Sequence, residues 1–153
     1  MIGAARRASM AMPALPSVLW LLVAAFAGRV AGQAIQKVSP VDFLPDFSSF
    51  QGSGLPYWAL LSTQIAILGA MIVVTARVQR GTLLPSARAG RILGRLGALY
   101  LGVSVVRIVI GLALPQAPAW FSTWVPAIFH LVLASWVLLV AVWHRAGTAD
   151  GYE

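Results

Sequence analysis

Hydrophobic positions along the chain gather into four long runs separated by three polar or aromatic-rich interruptions. Each run is about 20 residues, the length a helix needs to cross the roughly 30 Å apolar core of a bilayer. The runs cover residues 14–35, 55–78, 92–114 and 124–143. The pattern therefore predicts an all-α polytopic membrane protein, a four-transmembrane-helix bundle in a single domain over residues 1–153. The first run also admits a second reading. Arg6 and Arg7 precede a short apolar core, and Ala25-Phe26-Ala27 resembles a small-residue cleavage site, as in a signal peptide. Helical periodicity continuing through Val30, Ala31, Ala34 and Ile35 favours a retained span, with Arg29 in its outer turns.

The interruptions set an orientation. Residues 79–90 contain Arg80 and Arg88 and are flanked by Arg77, Arg91 and Arg95, a basic loop expected on the cytoplasmic side. Binding of anionic lipid headgroups is a lesser reading of the same arginines. Arg6, Arg7 and Arg145 fall on the same side if the chain crosses four times, which predicts N-in/C-in topology in the inner (plasma) membrane. Residues 36–54 would lie outside. There Phe43, Phe47 and Phe50 recur at helical spacing beside Leu44, which predicts a short interfacial helix or a cap over the bundle. Asp42 and Asp46, four apart, would share one of its sides, and Pro45 would limit it to a turn or two. The connector PQAPAWFST, residues 115–123, carries no charge and should be short and outer.

Composition narrows the function classes. The chain is 59% hydrophobic and 10% charged, too apolar for an ordinary soluble domain. It has no cysteine, which excludes disulfides, thiolate metal sites and thiol catalysis. The net charge of +7 is explained by the topology signal, and no soluble module is present to offer a basic face to nucleic acid. H-E-x-x-H, G-x-S-x-G, P-loop and dinucleotide motifs are all missing. Asp42 and Asp46 could form an acid–base pair but nothing marks them as one, and Ser48 and Ser49 have no evident base, so a hydrolase is not expected.

The candidate chemistry is a polar layer. Arg107 lies about seven residues, or roughly 10 Å, inside the outer end of the third span. Gln64 in the second span and His130 in the fourth fall at similar depth. Gly97, Tyr100, Ser104, Arg107 and Gly111 follow steps of three or four and form one face, whose small and polar residues should pack inside the bundle. A guanidinium at that depth costs about 2.5–3.5 kcal/mol on insertion scales unless it is paired or reaches water. Its candidate partners are Gln64, Ser104, backbone carbonyls, or Asp42 and Asp46 folding down from the outer loop. Two uses are open: a hydrogen-bonded tie that fixes helix register, or a cavity for a small polar or anionic ligand lined by Arg107, Gln64, His130, Tyr100 and Ser104. His130 and His144 are fourteen residues apart, about 21 Å on a helix, a spacing that resembles the two haem ligands on one helix of b-type cytochromes. These are the only histidines, so the second ligand helix is missing and no cofactor is expected.

Three stretches carry a family resemblance: QAIQKV leaving the first span, the VDFLPDF segment after it, and LLSTQIAIL in the second span. Over about residues 30–75 the layout resembles the DoxX-like and MauE-like group of small four-helix bacterial membrane proteins. Gln64 stands where a glutamate is commoner in that group. The resemblance implies roles accessory to quinol oxidation or to maturation of periplasmic redox enzymes, and it assigns no catalytic residue. The third and fourth spans, with Arg107 and PAIFHLVLASW, lie outside it. The leading expectation is thus a non-catalytic accessory or partner subunit, as a homo-oligomer or with a membrane partner protein. A transporter or a lipid- or small-anion-binding protein is the alternative, and a quinol- or haem-linked redox subunit comes third.

Overall fold

A computed structural model describes residues 12–50, 55–114, 116, 118, 121 and 123–148. Arg6 and Arg7, residues 51–54, the acidic tail with Asp150 and Glu153, and part of the 115–123 connector lie outside the described residues. The described chain is all-helical: α1 (Leu15–Val38), α2 (Phe47–Phe50), α3 (Tyr57–Gln79), α4 (Ala87–Ala113) and α5 (Trp124–Ala146). All except α2 are long and apolar enough to cross a membrane, which suggests a multi-pass membrane protein.

Local sequence sets the helix ends. Pro16 falls in the first turn of α1 and Pro126 in that of α5, where the missing N–H has no intrahelical partner to lose. The Ser86 side chain caps α4 by accepting from the Ala89 N–H at 3.3 Å. This starts α4 five residues before the predicted apolar span, because a helix can propagate through arginines that a hydropathy reading discards. Leu114 is extended ahead of Pro115, as the proline ring requires. Gly81, at φ +65°, makes the left-handed step between α3 and α4 that a side chain would resist.

The spanning helices pack in the order α3–α1–α5–α4, and the α3–α4 side is the least closed. Leu15, Leu19, Val23, Phe26 and Val30 follow steps of three and four along α1 and meet Met71 and Val78 of α3 and Trp136, Val140 and Trp143 of α5. The α4–α5 seam is the most extensive. It is made by Gly90, Gly94 and Gly97, which bring the backbone of α4 close to Ala141, His144 and Leu138. Polar ties lock the same half. The Trp136 indole donates to Thr75 Oγ1 at 3.1 Å, the Trp20 indole to Gln79 Oε1 at 2.7 Å, and the Ser86 N–H to His144 Nδ1 at 3.1 Å. These bonds bring the start of α1, the end of α3, the start of α4 and the end of α5 to one end of the bundle. The helices therefore alternate in direction.

At the opposite end, the segment after α1 turns back across the bundle. Its helix is the single turn Phe47–Phe50, so Asp42 and Asp46 precede it and share no helical side. Phe43 projects outward, whereas Phe50 is buried, its ring 3.6 Å from where a Cβ on Gly32 would stand. Phe47 packs edge-on to Tyr57, with the Lys37 ammonium 5.0 Å from its ring centre.

Candidate functional site

The last turns of α1 carry Arg29, Gln33 and Gln36 at steps of four and three, all turned inward. Arg29 is 8% exposed and Gln33 fully buried. Arg29 was expected near the headgroups, because the first apolar run ends at Ile35. The helix instead continues to Val38 and the following segment folds over it, so this turn lies inside the protein.

A hydrogen-bonded chain grows from these residues. Arg29 Nη1 donates to Gln33 Oε1 at 3.0 Å, and Nη2 donates to the Phe50 carbonyl at 3.1 Å. Gln64 of α3 donates through Nε2 to the same Gln33 oxygen at 3.2 Å. Among the described residues, Gln33 Nε2 and Gln64 Oε1 are buried without a partner. A buried polar atom without a partner costs about 1–3 kcal/mol, so these two atoms mark a place where a further hydrogen-bonding group would be favoured. Among the described residues, no carboxylate pairs with Arg29. Gln36 builds the roof: its Nε2 donates to the carbonyls of Val41, Leu44 and Pro45 at 2.9–3.0 Å, and its Oε1 accepts from the Val41 N–H at 2.9 Å.

Beside this chain is a cavity of about 130 Å³ to which all four spanning helices contribute. Its polar wall is Arg29, Thr63, Gln64, Tyr100 and His130, and its apolar wall includes Phe26, Ile67 and Phe129. Tyr100 and His130 lie with ring centres 5.7 Å apart, and the Arg29 guanidinium sits 5.9 Å from the centre of the Phe129 ring. Arg29 and Arg107 are both close enough to His130 to act on it electrostatically.

The expected site residues thus divide. Gln64, Tyr100 and His130 line the cavity. Arg107, 2% exposed, is set apart from its wall and donates to Thr123 Oγ1 at 3.2 Å. Ser104 is buried and donates to the Tyr100 carbonyl at 2.7 Å, an i−4 bond within α4. Asp42 and Asp46 are exposed on the segment that follows α1. Gln64 was a candidate partner of Arg107; it bonds instead to Gln33, because α3 packs on α1. Arg29 and Gln33 were the residues sequence reasoning undervalued, and their signal was the polar spacing 29–33–36. His144 stands at the other end of the bundle, tied to Ser86. Among the described residues there is no cluster of three metal-ligating side chains.

No family model, curated protein or solved structure matches this chain.

Proposed function

We propose that this is a multi-pass inner-membrane protein that binds a small oxyanion in the cavity between Arg29, Gln64, Tyr100 and His130. The observation that carries the reading is the company Arg29 keeps. A guanidinium inside an apolar slab costs several kcal/mol, and its described partners here are neutral oxygens that leave its charge uncompensated. An anion in the adjoining cavity supplies that compensation. Gln64 Oε1 is unpartnered and accepts only, so it favours a ligand that also carries a donor hydrogen. A volume of about 130 Å³ is just under the roughly 150 Å³ that accommodates benzene, which suits a ligand of a few heavy atoms. A hydroxylated carboxylate of glycolate size has the right charge, donor and bulk.

The orientation proposed with it is N-in/C-in. The arginine-rich ends of α3, α4 and α5 then face the cytoplasm, and the cavity lies in the outer half of the bundle beneath α2 and an interfacial outer segment.

The test is thermal unfolding of the purified protein at fixed ionic strength with glycolate, acetate or chloride added. Glycolate should raise the midpoint more than acetate, and chloride least. Arg29→Gln should abolish the response, and Gln64→Leu should remove the preference for glycolate over acetate. Equal responses to all three anions, or a response unchanged in Arg29→Gln, would overturn the reading.

An accessory-subunit role is a second reading. It is favoured by the exposed faces of α3 and α4, the two helices at the ends of the packing order, which leave room for a membrane partner or a second copy. The resemblance to DoxX-like and MauE-like proteins points the same way, toward a redox-linked assembly. Isolation of the protein from its own membrane with a stoichiometric partner chain, and no anion response, would favour it.

A further inference from the structure

One face of α4 remains outside the site just described. Arg88, Arg91, Arg95, Ala98, Gly102 and Val106 follow steps of three or four, so they form one stripe, and all six are exposed. The stripe is sharply divided. Its first part is three arginines near the start of the helix, and its second is small and apolar.

The basic part has a fourth contributor. Arg145, near the end of α5, lays its guanidinium directly against Gly94, and a Cβ at that position would run into it. Gly94 lies between Arg91 and Arg95, so a cation from the neighbouring helix is brought to the same turn. The described carboxylates, Asp42 and Asp46, belong to the opposite end of the bundle.

The apolar part is a groove of about 550 Å³ beginning just beyond Arg95. Ala98, Leu99, Gly102, Val103 and Val106 line it beyond the arginines, and Arg107, Ile110 and Phe121 complete its wall. At Gly102 a Cβ would meet nothing within 4 Å, so the floor opens onto free space. Along α4 the groove runs from Ala98 to Ile110, twelve residues or about 18 Å along the axis, roughly half of the ~30 Å hydrocarbon thickness. The groove therefore matches one leaflet in length, with positive charge at the end where that leaflet has its headgroups.

We propose that this face of α4 is a binding site for an anionic phospholipid. Its phosphate is held by Arg91, Arg95 and Arg145, and one acyl chain lies in the groove over Gly102. Charge selects this occupant over a second copy of the chain, because a symmetric contact along the stripe would bring two sets of arginines together with no counter-charge among the described residues at that end. The site is independent of the Arg29 cavity, which shares no wall residue with the groove.

The experiment is native mass spectrometry of the full chain in detergent, titrated with phosphatidylglycerol or with phosphatidylcholine of the same chain length. The wild type should retain phosphatidylglycerol preferentially. Each arginine near an anionic headgroup contributes roughly fivefold, so Arg91→Gln with Arg95→Gln should lower that preference by about twenty-five-fold. Removing equal charge elsewhere, through Arg77→Gln with Arg80→Gln, should leave it nearly intact. Gly102→Leu, which keeps every arginine and fills the groove, should weaken phosphatidylglycerol severalfold, and inorganic phosphate at millimolar concentration should not displace the lipid. Retention equal in the two double variants would reduce the face to a diffuse basic surface and overturn the proposal. So would wild-type binding in Gly102→Leu, or displacement by inorganic phosphate, which would make the arginines a site for free phosphate. Helical circular dichroism on each variant separates loss of the lipid from loss of the fold, and Gly102→Ala provides a milder filling should the leucine prevent folding.

Discussion

The carboxamide of Gln36 takes both hydrogen-bonding positions of Val41, accepting from its N–H at 2.9 Å and donating to its carbonyl at 3.0 Å. A side chain thus stands in for the backbone partner that a strand neighbour would supply. The same nitrogen also reaches Leu44 and Pro45, so one residue of α1 holds the first part of the returning segment, and Arg29 holds its end through the Phe50 carbonyl. Nothing else in that stretch forms regular structure until Phe47.

Gln36→Leu should therefore release residues 39–46 while leaving the long helices in place. The buried groups it abandons cost about 2 kcal/mol in total, of the order of one unsatisfied buried polar group. The expected readout is faster amide exchange across residues 41–46 with unchanged helical circular dichroism. Protection in that segment equal to the wild type would show that Phe50, through its packing and its carbonyl bond from Arg29, suffices to retain it.

Gln64→Leu should move stability and binding in opposite directions. It removes an unpartnered buried oxygen and one 3.2 Å bond to Gln33, whose oxygen keeps its bond from Arg29. A gain of about 1 kcal/mol is expected in the unliganded protein. The same variant should lose discrimination between glycolate and acetate. A stabilised variant that still discriminates would move the donor-reading role away from Gln64.

Two glycines of the α4–α5 seam should respond unequally to a methyl group. At Gly97 a Cβ would stand 2.9 Å from Leu138 Cδ2 and 3.2 Å from Val137 Cγ1, in the middle of the seam. Gly97→Ala should cost about 1–3 kcal/mol, the range for overpacking a filled interior. At Gly94 the obstacle is the far end of Arg145, an exposed and flexible side chain that can swing away. Gly94→Ala should cost much less, and unfolding midpoints of the two variants compare them directly.

The lack of cysteine permits a clean test of orientation. Asp42→Cys and Thr82→Cys each place a single thiol at an exposed position, at opposite ends of the bundle. A membrane-impermeant maleimide should label the first in intact spheroplasts and the second only after permeabilisation. The reverse pattern would turn the protein over, and labelling of both from one side would contradict spanning helices altogether.

The four long helices were legible because each rests on a local property, about 20 consecutive apolar residues, that survives any tertiary arrangement. Their partners were not. Gln64 bonds to Gln33 and not to Arg107 because α3 lies on α1, and no residue pattern within either helix encodes that adjacency. Depth was misjudged at Arg29 for a related reason. Counting from the end of an apolar run locates the membrane surface, but the path of residues 39–50 decides whether that surface is covered by protein. The early start of α4 could have been read from Ser86, whose capping role depends on its immediate neighbours. Phe50 against Gly32 could not, since eighteen residues of chain must first return to the same helix.

The hydrogen bonds around the two deep arginines also bear on how the chain is made. Arg29 is served by Gln33 and Phe50, and Gln64 completes that group, so every member has emerged by the end of the second span. Arg107 bonds to Thr123, sixteen residues further on, inside the second hairpin. Each half carries one costly charge together with bonding partners for it. During synthesis the first hairpin can leave the insertion machinery with its guanidinium already engaged, without waiting for the second. The second can then enter the bilayer as a unit and close the cavity when α5 docks on α1.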